Sequence, residues 1–423
     1  MSRSRTVPIR QTFTPYLTDK GEGSDSEDGS YRSDAERELR RFHRWANGKS
    51  ADGANADPAE AWTGVTTDDT VRFSDLDTRV FRRYARYLTG RGWQPNTVIT
   101  YYAHVAAWCG WCHDEGYLDR HHARESRAEA PLPDTDGRRP GDQQFWTPAD
   151  RDALLRHCDR VVDDGLETLA TVDVPPGADD PADHEAVREK LRARMNVVRA
   201  IRDRSLVAVL AYTGVRGAEV FDYPESDVDG RNGVRWADVD LEQRSMTVYR
   251  KTGTWEEVAV PAPVLEPLAR YRGVLAPPTD WRVFTTLHRP TLARHVTDEL
   301  KAAGHDSDGV AELRENYPDL LLAAERGLDS PPALTTHGAR RVMERLCDEA
   351  EIEIEDADYL QPHGGRRGVG EVLFRKRSAT AAARQLGNSP ETVRRTYEHI
   401  EAREQAQETT EALAETDDRV DDG

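Results

Sequence analysis

Apolar residues recur at helical spacing along the first third of the chain. In SDAERELRRFHRWA, Leu39, Phe42 and Trp45 fall on one helix face behind an Asp/Ser start. SDLDTRVFRRYARYLTGRG repeats the pattern, with Ser74 as the expected cap and Gly90 as the stop, and QPNTVITYYAHVAAWCGWCHDEGYL opens on Pro-Asn-Thr and ends near Gly116. These segments predict a small all-α domain of about four helices over residues 31–127. Ahead of it, residues 1–30 are polar, acidic and Gly/Ser-rich, the composition of a disordered tail.

A Pro/Asp/Gly stretch, EAPLPDTDGRRPGDQQ, has no regular period and predicts a linker over 128–145. WTPADRDALLRHC then restarts the helical pattern with a Thr cap and a Pro at the first helical position, and VRAIRDRSLVAVLAYTG is an apolar helix stopped by Gly214. SMTVYR and WEEVAV alternate with period two on either side of KTGT, which predicts a hairpin with Gly253 in its turn. The fold class is therefore mainly α with a small β-hairpin or sheet: a larger second domain over 146–400, with insertions near 159–195 and a loop-rich one near 277–332, and an acidic C-terminal tail over 401–423.

Length agrees with that division, since 423 residues exceed one ordinary core. The formal charge of −19 argues against a nucleic-acid partner until its distribution is considered. Acid is concentrated near the start, over 159–189 and after Glu401, whereas arginines cluster at Arg79, Arg82, Arg83 and Arg86 and again at Arg366, Arg367, Arg375 and Arg377. Lysine occurs only at positions 20, 49, 190, 251, 301 and 376. That balance resembles proteins of salt-accumulating archaea, in which acidity is an adaptation of solvated surface and says little about partners.

No apolar run is long enough to span a membrane and the N-terminus lacks a signal peptide's apolar core, so the expected location is cytoplasmic, with no membrane partner. Four cysteines give no disulfide framework. Cys109 and Cys112 mimic a redox motif but lie inside a helical run, with no second pair to complete a zinc site.

Two near-copies remain, THGARRVMERL from Thr336 and PHGGRRGVGEVL from Pro362. In each, a His and an Arg three places apart share a helix face and can converge on one oxyanion. A solvated basic helix face gives the same pattern, so other residues must decide. YTGVRGAEV, the hairpin carrying Lys251, LQPHGGRRGVGEVLF and RQLGNSPETVRRTYEHI follow in one order. That order resembles the tyrosine recombinases, the phage-type integrases and their site-specific relatives, over roughly residues 31–400. Arg216, Lys251, His363, Arg366 and Tyr397 fall on the family's functional positions. The second box keeps the family's distance to the tyrosine; His337 and Arg340 lie too early and match the helix that leads into it.

The resemblance implies an N-terminal helical core-binding (SAM-like) domain that clamps DNA and a tyrosine recombinase catalytic domain. It implies a homotetramer on double-stranded DNA, breaking and rejoining phosphodiesters for integration or excision of a virus or mobile element, without metal or other cofactor. Arg216 and Arg366 would neutralise the non-bridging oxygens, for which planar guanidinium forks are suited. Tyr397 would form a 3′-phosphotyrosine, Lys251 would protonate the leaving 5′ oxygen and His363 would help to deprotonate the tyrosine. Taken singly, each has a plainer role: surface arginine, hairpin-edge lysine, packing tyrosine. Asn388 stands where the family commonly has a His or Trp, Arg367 where a second His is common, and Gly217 and Ala218 replace bulkier residues. A catalytically silent DNA-binding relative and a type IB topoisomerase are the alternatives.

Overall fold

The computed structural model describes residues 6–22, 29–48, 64–65, 70–134, 144–224, 226, 228–354 and 357–397. The chain forms two compact units, one of Met1–Arg139 with Glu225–Asp227 and Lys251–Gly253, the other of Pro140–Pro224, Val228–Arg250 and Thr254–Gly423. The expected acidic tail over 401–423 lies outside the described residues.

Helices α1 (Phe13–Glu22), α2 (Gly29–Ala46), α3 (Thr78–Thr89), α4 (Pro95–Asp114) and the short α5 (Ser126–Glu129) build the first unit. Over the described residues 6–22 the expectation of a disordered tail across 1–30 is corrected; residues 1–5 and 23–28 lie outside the described residues. Ile9, Phe13, Tyr16 and Leu17 are buried in the core, and Thr12 accepts a 3.0 Å hydrogen bond from the Trp108 indole. The apolar spacing of these residues, not the mean composition around them, decides the outcome. Asp77 rather than Ser74 caps α3, accepting from the N–H groups of Arg79 and Val80. Cys109 and Cys112 are free and buried against Trp108 and its neighbours; burial pushes the Cys109 thiol up to about 12. Unreactive thiols of this kind are core residues.

In the second unit, Thr147 caps α6 (Pro148–Thr171) by accepting from the Asp150 N–H at 3.1 Å, and α7 (Glu185–Tyr212) runs antiparallel to it by way of a short turn-rich connection. The acidic stretch expected as an insertion near 159–195 is largely the continuation of these two helices, whose outer faces are solvated. After α8 (Gly217–Val220), strands β1 (Val239–Asp240), β2 (Ser245–Tyr249) and β3 (Trp255–Ala259) form an antiparallel sheet in that order, with Met246 opposite Val258 and Tyr249 opposite Trp255.

Helix α9 (Ala262–Leu275) packs against α7. Where a loop-rich insertion was expected over 277–332, three helices form: α10 (Arg289–Ala302), α11 (Ser307–Asn316) and α12 (Asp319–Arg326). Leu292, Val296, Leu300, Val310, Leu320 and Leu321 carry them into the main core. Helices α13 (Thr336–Glu349), α14 (Pro362–Lys376) and α15 (Ala379–Leu386) follow, and residues 390–397 are helical. Several hydrogen bonds dock the start of α14, among them one from the Trp146 indole to the Gln361 carbonyl at 2.8 Å and one from Arg367 to the Gln144 carbonyl at 3.1 Å. The described part of the expected 128–145 linker is divided accordingly: Ala128 lies in the first unit's core, and Gln144 and Phe145 pack in the second. Among the described residues no helix is long and apolar enough to cross a membrane.

Candidate active site

Gly214 ends the chain's run out of α7 in a left-handed conformation (φ 73°), and the next turn brings Arg216 to the start of α8. Glu219, fully buried, fixes that arginine at both ends. Its Oε2 accepts from the Arg216 backbone N–H at 2.8 Å and its Oε1 from Nη1 at 2.8 Å. The two residues stand three positions apart, the spacing at which side chains on one helix face meet. Arg216 keeps a quarter of its side chain exposed.

Arg366, one turn into α14, is almost wholly buried. Its guanidinium donates to the Gly214 carbonyl at 2.6 Å and to the Leu386 carbonyl at 2.5 Å, joining the α7 exit to the end of α15. Burial, then repulsion from Arg216, lowers its pKa to about 10, which still leaves it cationic at neutral pH.

Asn388 brings the two arginines together. Its Oδ1 accepts from Arg216 Nη2 at 3.1 Å and from Arg366 Nη2 at 3.1 Å. With the amide oxygen committed to two cations, the Nδ2 donor faces away from them. In this arrangement Asn388 is an acceptor that clamps the arginine pair.

His363 lies one turn before Arg366 at the start of α14 and is an exposed residue. Desolvation by its surroundings and the cations Arg367, Arg366 and Arg216 lower its pKa to about 4. A neutral imidazole at physiological pH can accept a proton.

Tyr397 is buried to 3% exposure in a small cluster with Phe374, Leu386 and Val393. Its hydroxyl donates to the Arg367 backbone carbonyl at 3.2 Å. The ring passes α14 where Gly370 leaves room; a Cβ on that glycine would collide with the Tyr397 oxygen. Burial pushes the phenol up to about 12 against the opposing pull of Arg366 and Arg367, so the hydroxyl is protonated at neutral pH.

Lys251 occupies the exposed turn between β2 and β3, a turn that Gly253 closes at φ 81°. His337 and Arg340 are exposed on the first turns of α13. The second unit thus assembles Arg216, His363, Arg366, Asn388 and Tyr397. Sequence reasoning missed Arg250, which is 1% exposed and donates to Glu219 Oε2 at 3.0 Å. The signal for it was present: β2 buries Met246 and Val248 in alternation, and Arg250 continues the inward register. It also missed Gln385, whose amide donates to the Thr213 carbonyl at 2.7 Å and the Ala259 carbonyl at 3.0 Å. Among the described residues no group of three or more His, Cys, Asp or Glu is arranged to hold a metal ion.

No protein-family model matches the chain, and no curated protein matches it. Solved structures do. The Tn1549 transposon integrase in complex with transposon right end DNA matches at 12% identity over 92% of this chain and 95% of that one, with a TM-score of 0.51. A lambda integrase dimer bound to a COC′ core site matches at 11% identity over 93% of this chain and 78% of that one, with a TM-score of 0.49. The chain has the tyrosine recombinase/integrase fold.

Proposed function

We propose that this protein is a site-specific DNA strand transferase that cuts and rejoins double-stranded DNA through a covalent 3′-phosphotyrosine at Tyr397, in the integration or excision of a virus or mobile element. The observation that carries the reading is the convergence of Arg216 and Arg366, 150 positions apart, on the single oxygen of Asn388. Glu219 pairs with Arg216 but is shared with Arg250, and Arg366 bonds to neutral oxygens, so the two guanidiniums keep an excess of positive charge that an anion would complete. A phosphodiester supplies two non-bridging oxygens for that purpose. The Tn1549 integrase was captured on transposon end DNA, which accords with DNA as the source of that anion.

In the reaction, the Tyr397 oxygen attacks phosphorus and passes its proton to neutral His363 while the 5′ oxygen leaves with a proton from Lys251. The P–O bond to the 5′ oxygen breaks as the P–O bond to tyrosine forms, so a second 5′ hydroxyl can reverse the step without an external energy source. Arg216 and Arg366 hold the charge that builds on the non-bridging oxygens. In the first unit, Arg79, Arg82, Arg83 and Arg86 are exposed along α3 and supply phosphate contacts. The working assembly is a homotetramer that joins two duplexes.

The hydrogen bond from Tyr397 to the Arg367 carbonyl favours a second reading, a silent DNA-binding relative whose tyrosine only packs. One experiment separates the two. A nicked suicide substrate carrying the attachment site should yield a protein–DNA adduct that Tyr397→Phe abolishes; specific DNA binding without any adduct would establish the silent relative.

A further inference from the structure

Arg250 cannot touch DNA, since 1% of it is exposed, yet it bonds to Glu219, the carboxylate that holds Arg216 in place. Its Nη1 donates to Glu219 Oε2 at 3.0 Å, on the carboxylate whose other oxygen takes the Arg216 guanidinium. Its Nη2 donates to the Gln385 carbonyl at 3.3 Å, and its Nε pairs with the half-exposed Glu256 at 3.3 Å. The guanidinium also lies against Gly387, a left-handed residue (φ 58°) where a Cβ would meet Arg250 Nε at 2.8 Å. Gly387 immediately precedes Asn388, the acceptor shared by Arg216 and Arg366.

We propose that Arg250 is a positioning residue that keeps Arg216 available to a bound phosphate, by taking up part of the charge of Glu219 and by bracing the turn that presents Asn388. The proposal rests on the reading of this site as a phosphodiester-cleaving one. The physical reason lies in how one buried carboxylate divides its charge. Glu219 has no solvent to share it with, so without Arg250 its full charge falls on Arg216 and competes with the phosphate for the same guanidinium. With Arg250 present, the carboxylate orients Arg216 through Oε1 while its second oxygen is engaged from behind. A long apolar side chain at 250 would fill the volume and leave the carboxylate uncompensated on that side. A lysine would keep a cation there but lose the forked contact with Gln385 and Glu256.

The test compares cleavage of a nicked suicide substrate having an ordinary scissile phosphodiester with one having a methylphosphonate there, in which a methyl group replaces a charged non-bridging oxygen. Wild-type protein and Tyr397→Phe are run first; no Tyr397-dependent adduct on the phosphodiester would end the parent reading, independently of Arg250. Given an adduct, Arg250→Met should slow phosphodiester cleavage by about tenfold, less than the roughly hundredfold loss of a direct donor. On the methylphosphonate, which needs less neutralisation, the same variant should lose no more than about threefold. Arg250→Lys, which retains a cation opposite Glu219, should lie between wild type and Arg250→Met on the phosphodiester. Equal losses on both substrates would mean that Arg250 only supports the fold, and unchanged rates on the phosphodiester would mean that it does not act on the site; either result overturns the proposal. If Arg250→Met does not fold, Arg250→Lys carries the same comparison, with equal losses on the two substrates again the overturning result.

Discussion

The Tyr397 hydroxyl donates to the backbone carbonyl of Arg367, the residue next to Arg366 on the same helix. The candidate nucleophile is thereby held against α14 by a neutral hydrogen bond and a slot at Gly370, with Phe374 5.7 Å from its ring. Attack on a phosphate requires that bond to be exchanged for one to a base.

Gly370→Ala closes the slot. The added methyl group has no room while the tyrosine is in place, so the ring is expelled at a cost of roughly 1–3 kcal/mol in stability. The phenol should then ionise nearer its ordinary value of about 10 than the value of about 12 that burial imposes here. Ring-carbon NMR of labelled tyrosine, with Tyr397→Phe identifying the signal, reads the change. An unmoved titration midpoint in a folded variant would show that the slot does not hold the ring.

The two look-alike boxes should separate sharply. Arg366→Ala removes the donors to Gly214 O, Leu386 O and Asn388 Oδ1 together, and is expected to abolish cleavage and cost roughly 2–4 kcal/mol. Arg340 is exposed on α13, and Arg340→Ala should stay within about 0.5 kcal/mol of wild type with cleavage largely retained. Thermal melts and adduct yields on the same preparations check both halves.

How much of this was legible beforehand varies with the range of the cause. Thr147, Gly253 and the glycine stop at Gly214 act within a few residues, so caps, turn and helix end were readable. Ile9, Phe13 and Tyr16 were missed because acidic and small residues downstream dominate the composition of that segment, although their apolar spacing is local. Helices α10 to α12 were taken for loop because three short amphipathic helices, each separated by only a few residues and rich in Asp, Arg and Pro, look broken until the core they share is present. For the site, residue types in order pointed to Arg216, Arg366, His363 and Tyr397. Motif order contains no contacts, and so could not reveal that Asn388 accepts from both arginines or that a buried Arg250 stands behind Glu219.

The shift on His363 has a consequence for pH. An imidazole titrating near 4 in the folded chain and near 6.5 when unfolded is neutral in both states above 6.5. As pH falls through 6.5 the unfolded chain takes up the proton first, so the stability this group contributes is fully present above that value and is lost progressively down to about 4. Cleavage that uses His363 as base should correspondingly show no inflection near 6.5 from this residue. Ring NMR of the DNA-free protein, with His363→Asn to assign the signal, should give a midpoint near 4; a midpoint near 6.5 would mean that the neighbouring guanidiniums do not act on the ring.

Asn388→His tests what the amide is for. Judged from family resemblance alone, the change restores a common residue and should be tolerated or even speed cleavage. The geometry argues for the opposite. Oδ1 takes one hydrogen bond from each arginine at 3.1 Å, and a neutral imidazole has a single acceptor nitrogen, so one of these two bonds would be lost. A protonated imidazole would add a third cation beside Arg216 and Arg366 and could accept from neither. We therefore expect Asn388→His to fold, to bind its DNA, and to cleave about tenfold more slowly or worse, with the defect growing as pH falls and the new imidazole acquires charge. Asn388→Asp makes the complementary change. It supplies two acceptor oxygens and should hold both guanidiniums more tightly, but its negative charge occupies the place of the phosphate and should weaken DNA cleavage as much or more. Faster cleavage by Asn388→His at neutral pH would show that the imidazole reaches the phosphate directly and that the clamp of Asn388 on the arginine pair is not what sets the rate.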